Sequence, residues 1–231
     1  MPVLIQDIKD SFDLSKVTKR TSVLGLSAVA FTLLSVRYPP VQPYAWLFLA
    51  FVAVASIHQQ HTGKDILRYK AWELRRIFKP IAAGLMVALP IYIAVGLMSG
   101  LKVNGSWREL FLPVVAWTVA VATTEEFGFR FVLLRTLRPY SIVFSNVGFA
   151  LIHPVVWDSF GTGNAAGIWF FLAYLLFGLA MTVIVLIYDH YDGEGTGAWF
   201  GPLMAITLHG AHNFFIIVFY QGTGGAALAP C

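Results

Sequence analysis

Six residues in the second half of the chain have the types and the spacing for acid–base chemistry: Glu125, Glu126 and Arg130, then His153, then His209 and Asn213. Each sits inside a run of apolar residues. An ionisable group at the centre of a bilayer costs about 2.5–3.5 kcal/mol on insertion scales, so such residues face other protein and usually carry a function. Glu126 and Arg130 stand four apart, the spacing of an ion pair on one helical face. Glu125 is rotated about 100° from Glu126 on a regular helix, so it is expected to point elsewhere. His209 and Asn213 are also four apart and present their polar tips in one direction. One carboxylate, an imidazole from a second segment and an imidazole–amide pair from a third provide a base, a partner for it and two donors. That set can activate a water and stabilise the oxyanion its attack creates.

Other chemistries use some of the same groups. Glu125, His153 and His209 are plausible zinc ligands with a fourth position open for water, as in a metallopeptidase. No His-Glu-x-x-His occurs, so the expectation is no metal and no cofactor. A membrane carrier, or a non-catalytic immunity or scaffold protein, would use the buried carboxylate and histidines as a proton relay. A relay has no need of Asn213, whereas an oxyanion site does. Glu126 and Arg130 are expected to tie helices together, and His212 to be a packing neighbour. His58, His61 and His190 are expected in solvated loops.

The elements that must position these groups are membrane helices. The chain has 231 residues, 58% hydrophobic and 12% charged, with mean hydropathy +0.71; a soluble domain carries about 25% charged residues. Seven apolar segments run at about 22–36, 44–57, 80–99, 110–134, 141–157, 166–188 and 198–220. A spanning helix needs about 20 apolar residues, so the fold class is all-α: a polytopic transmembrane bundle of seven or eight helices. The organisation is a single membrane-embedded domain over 1–231, with N-terminal helices over 22–99 and a catalytic core over 110–220. Between the second and third segments, 64–79 has apolar residues at helical spacing among Lys64, Arg68, Lys70, Arg75, Arg76 and Lys79. That pattern predicts an amphipathic helix lying on an anionic leaflet. At 1.5 Å per residue, His153 would lie about 18 Å along its helix from Ser141, and His209 about 16 Å from Ala198. Glu125 would sit near 20 Å if the fourth helix ran on to Arg138, roughly level with them.

Charge placement sets the expected orientation. Lys9, Lys16, Lys19, Arg20, the six basic residues of 64–79, Arg135 and Arg138 fall on one side, and Arg37, Lys102 and Arg108 on the other. The positive-inside bias puts the N-terminus in the cytoplasm. The first twenty residues intersperse Asp7, Asp10 and Asp13 with Lys9 and Lys16 and lack the apolar run of a cleavable signal. The single cysteine, Cys231, excludes an intrachain disulfide. The basic residues cluster at segment ends, which points to lipid and away from nucleic acid as the partner.

Three motifs stand in order on successive apolar segments: Glu125-Glu126-x-x-x-Arg130, Phe149-x-x-x-His153 and His209-x-x-x-Asn213. Together they resemble those of the CPBP family of intramembrane peptidases, also called the CAAX prenyl protease 2 or ABI family, which includes the Ras-converting endopeptidases. The stretch Gly195-Thr196-Gly197 with Gly201-Pro202 is similar to the corresponding part of the Ras-converting members. The resemblance covers about Thr123 to Phe214. It implies a hydrolase that cuts a peptide bond near the C-terminus of a prenylated CAAX-type substrate. It further implies that Glu125 is the general base on a water positioned by His153, that His209 and Asn213 lie at the oxyanion, and that Glu126 and Arg130 support them.

Overall fold

The computed structural model describes residues 19–62, 74–100, 106–136, 140–191 and 200–220. Among these all regular structure is helical. Helix α1 (Lys19–Arg37) is followed by a single 3₁₀ turn, Pro39–Val41. The proline pair ends one helix and starts the next, α2 (Gln42–Thr62), because proline suits the first turn of a helix and disfavours α geometry in the residue before it. Then come α3 (Leu74–Ser99) and α4 (Trp107–Thr136), α5 (Ser141–Leu151) and α6 (Pro154–Gly161), α7 (Ala166–Tyr191) and α8 (Phe200–Phe215). The last of these continues in wider turns over Ile216–Tyr220.

Five stretches are long and apolar enough to cross a membrane: Pro39–His58, Ile77–Met98, Trp107–Thr136, Ala166–Ile187 and Phe200–Phe219. The bent pair Ser141–Leu151 and Val155–Gly161 makes a sixth if counted as one broken span. The expected count of seven or eight is not reached among the described residues, because α1 is not one of the five. The protein is a multi-pass membrane protein, with five or six such helices among the described residues.

Most of the interfacial helix expected over 64–79 lies outside the described residues, which resume at 74; 74–79 form the opening turns of α3. His58 and His61 lie in the last turns of α2, and His190 in the last turn of α7, all on helices rather than loops.

Helix α4 is the axis of the fold. Its start is fixed by Ser106, whose backbone N–H and hydroxyl both donate to the Glu109 carboxylate at 2.9 Å. Along its length α-helical turns alternate with wider i→i+5 turns at Val115–Val121 and Glu126–Leu133, an irregularity frequent at functional sites. One flank packs an aromatic layer against α1 and α2. Phe48 lies 5.5 Å from Phe127, Phe51 lies 5.3 Å from Phe129, and Phe127 stacks on Phe131. The other flank receives α8, which in turn packs on α3 and α7.

Candidate active site

Glu125, Glu126, Arg130, His209 and Asn213 are completely buried, and His153 is 2% exposed. The seam between α4 and α8 gathers most of them around one imidazole. His209 Nδ1 lies 2.8 Å from Glu126 Oε1, and its Nε2 lies 3.5 Å from Glu125 Oε2. Glu126 Oε2 is 3.4 Å from Arg130 Nε, the ion pair expected from the four-residue spacing. Glu125 and Glu126 therefore meet at one ring. An imidazole offers nitrogens on two different edges, so one ring lying across the helix meets both neighbouring carboxylates although they leave α4 in different directions.

Buried charges are tolerated only when paired and hydrogen-bonded, and the surroundings of Arg130 show how this pairing is held. Its guanidinium lies over the Phe149 ring at 3.9 Å, a cation–π contact favoured by a dry setting. The α7 backbone comes close here because residue 178 is glycine: a Cβ would stand 2.7 Å from Arg130 Nη2 and 2.9 Å from Asn146 Oδ1. Asn146 accepts from the Thr182 hydroxyl at 3.0 Å and donates to the Ile142 carbonyl at 2.8 Å. Ser145 donates to the Phe129 carbonyl at 2.6 Å. These polar ties join α5 to α4 and α7.

His153 does not sit within a continuous helix. Pro154 follows it, and the residue before a proline is pushed out of the α region. Helix α5 stops at Leu151, and His153 adopts φ −80°, ψ 118° as the residue that starts α6. Its depth is therefore set by a bend and not by a straight rise from Ser141. Its Nδ1 lies 2.8 Å from the Phe149 carbonyl oxygen. A carbonyl can only accept, so Nδ1 carries the proton and Nε2 of the neutral ring offers a lone pair. The Phe149 ring stands 4.9 Å from His153 and 5.9 Å from His209, edge-to-face with both. The Tyr174 ring stacks on His153 at 3.7 Å.

Asn213 donates to the Trp117 carbonyl at 3.1 Å, where the wider turns of α4 run. Gly210 allows the approach: a Cβ there would lie 2.7 Å from the Thr118 carbonyl. His212 has its Nδ1 3.0 Å from the Tyr92 hydroxyl on α3 and its ring 5.4 Å from Phe177. It is the packing neighbour expected. Tyr92 also lines an apolar cleft of about 740 Å³ between α3, α4 and α8, together with Leu89, Ile93, Thr118, Gly210 and Phe214.

Glu125 Oε1 and Oε2, His153 Nε2 and His209 Nε2 are among the buried atoms with no hydrogen-bond partner within the described residues. Leaving a buried polar atom unmet costs about 1–3 kcal/mol. The Tyr174, Phe177 and Gly178 contacts were not visible in the sequence. Their signal, an i, i+3, i+4 stripe on α7, is indistinguishable from ordinary packing. No group of three or more His, Cys, Asp or Glu among the described residues is arranged to hold a metal ion.

Residues 107–215 match the family model for the type II CAAX prenyl endopeptidase Rce1-like proteins. No curated protein and no solved structure gives a match.

Proposed function

From residues 107–215 as an Rce1-like domain of a protease family, we propose that this chain is an intramembrane endopeptidase that hydrolyses a peptide bond near the C-terminus of a prenylated CAAX-type substrate. The observation that carries the reading is the fully buried pair Glu125 and Glu126, clamped to one imidazole, His209, within a seam of membrane helices. Glu125 takes a proton from water as that water attacks the scissile carbonyl, and later returns it to the leaving amine. The His153 Nε2 lone pair accepts the water's other proton in a hydrogen bond and so aims the oxygen. Glu126, tied to Arg130, holds His209 in place, and the His209 ring keeps Glu125 from swinging. As the carbonyl becomes an oxyanion, the Asn213 amide supplies a donor, and His209 supplies another from Nε2 when its ring carries a proton on both nitrogens, an arrangement worth about 10²–10³ in rate per donor. The apolar cleft between α3, α4 and α8 offers the lipid chain of such a substrate a path to the seam.

We place the N-terminus in the cytoplasm, supported by the lysine and arginine asymmetry of the connections. A reporter before α1 and another within 63–73 should then both read as cytoplasmic; opposite sides would mean that α1 does not cross.

The decisive experiment is cleavage of a farnesylated CAAX peptide by the purified protein in liposomes, with and without a chelator. Cleavage that persists after chelation supports the water mechanism. Activity lost with stoichiometric zinc, and restored by it, would establish a metallopeptidase. No cleavage, together with Glu125-dependent proton flux, would make the protein a carrier.

A further inference from the structure

We propose that Tyr174 is a positioning residue for His153, and that α7 acts on the site through an uncharged face formed by Tyr174, Phe177 and Gly178. The effect on rate rests on the peptidase reading; the positioning itself does not.

Between Ala166 and Ile187, α7 has no Asp, Glu, Lys, Arg or His, yet this one stripe touches polar groups from three other elements. Residues at i, i+3 and i+4 share a helical face. Tyr174 stacks on His153, ahead of α6, with ring centroids 3.7 Å apart and planes 16° apart. Phe177 stands 5.2 Å from the His209 ring of α8 and 6.1 Å from Phe149 of α5. Gly178 leaves the room that the Arg130 guanidinium of α4 occupies.

His153 is the group that most needs outside support. Its backbone is not helical, so no regular turn fixes the direction of its side chain. One hydrogen bond, from Nδ1 to the Phe149 carbonyl, anchors a single corner of the ring. A single hydrogen bond still tolerates some rotation about the Cβ–Cγ bond, and that rotation swings the Nε2 lone pair. A flat aromatic face stacked nearly parallel removes that rotation. Tyr174 therefore fixes the plane in which Nε2 points, while Phe149 meets the ring edge-to-face. Misplacing a reacting group by about 1 Å costs roughly 10² in rate, so the plane of this imidazole matters to turnover more than to substrate affinity.

The test combines kinetics and nitrogen NMR on the full chain in detergent or liposomes. Tyr174→Leu keeps an apolar side chain but removes the flat face, and is expected to lower kcat about 10²-fold on a farnesylated peptide with KM nearly unchanged. Tyr174→Phe keeps the face and should recover most of kcat. In a His153→Ala background, Tyr174→Leu should change kcat less than about twofold, because the residue through which it acts is gone. The His153 ring signals, assigned by their loss in His153→Ala, should keep the Nδ1–H tautomer in wild type and Tyr174→Phe and lose it to averaging in Tyr174→Leu. If Tyr174→Leu fails to fold, Tyr174→Met, a flexible filler, takes its place. Wild-type kcat in the Leu variant, an undiminished effect without His153, or unaltered His153 signals would each overturn the proposal. An inert wild-type chain would instead sink the peptidase reading, and the NMR comparison would still decide the positioning.

Discussion

The two helices that carry the site and the two that wrap it differ in the opposite sense from a water-soluble protein. In α4 and α8, 50% and 61% of the most apolar window is buried inside the protein, and the mean hydropathy of those windows is 1.3 and 1.5. In α3 and α7 the buried share falls to 11% and 22%, while mean hydropathy rises to 2.3 and 2.7. The most apolar helices are outermost. In lipid there is no hydrophobic gain in burying one apolar side chain against another, and helices associate through packing, small residues and polar contacts. Polarity therefore pulls α4 and α8 together at Glu125, Glu126, His209 and Asn213, and Gly210 lets their backbones close. Residues such as Met86 and Leu97 on α3, 71% and 80% exposed, face the lipid.

Substitutions on the two sides of this contrast should differ by orders of magnitude. Glu125→Gln is nearly isosteric but cannot take the water's proton, so kcat should fall by about 10²–10⁴-fold while the protein remains folded; single-turnover cleavage of a prenylated peptide measures this. Asn213→Ala should lower kcat by about 10²-fold with little change in KM. A folded Asn213→Ala protein with full activity would remove the oxyanion role. Glu126→Gln should appear mainly in stability, by about 2 kcal/mol in reversible unfolding, because Arg130 loses its charged partner while an amide oxygen still meets His209. Met86→Ala, on the lipid side, should shift stability by no more than about 0.5 kcal/mol and leave kcat alone. A large effect of Met86→Ala would break the contrast and identify that face of α3 as a protein interface.

Much of this arrangement is legible in the sequence, because the features concerned are local. Hydropathy locates the segments, and ionisable residues within them single out Glu125, Glu126, Arg130, His153, His209 and Asn213. The four-residue spacing gives the Glu126–Arg130 pair correctly. The bend at His153 was also readable, since Pro154 follows it, but a run of apolar residues over 141–157 hides a break that interrupts no hydropathy. Charge dominates 64–79, so that stretch reads as interfacial, and its last residues, 74–79, open the helix that continues into the span. Other features depend on partners far away in sequence. Whether Glu125 and Glu126 meet one ring is decided by where α8 lies, 83 positions further on. Tyr174 looks like any lipid-facing aromatic until the bend brings His153 beneath it.

That separation of 83 positions also has a meaning during synthesis. Helix α4 enters the bilayer with Glu125, Glu126 and Arg130 midway along it, and the imidazole that completes their set arrives with the last described helix. At ordinary translation rates of about 5–20 residues per second, the delay is roughly 4–17 s. Throughout that interval α4 is a span with an incomplete polar core. The nascent chain is then most exposed to the chaperones and degradative machinery of its membrane, and release from that surveillance coincides with the docking of α8.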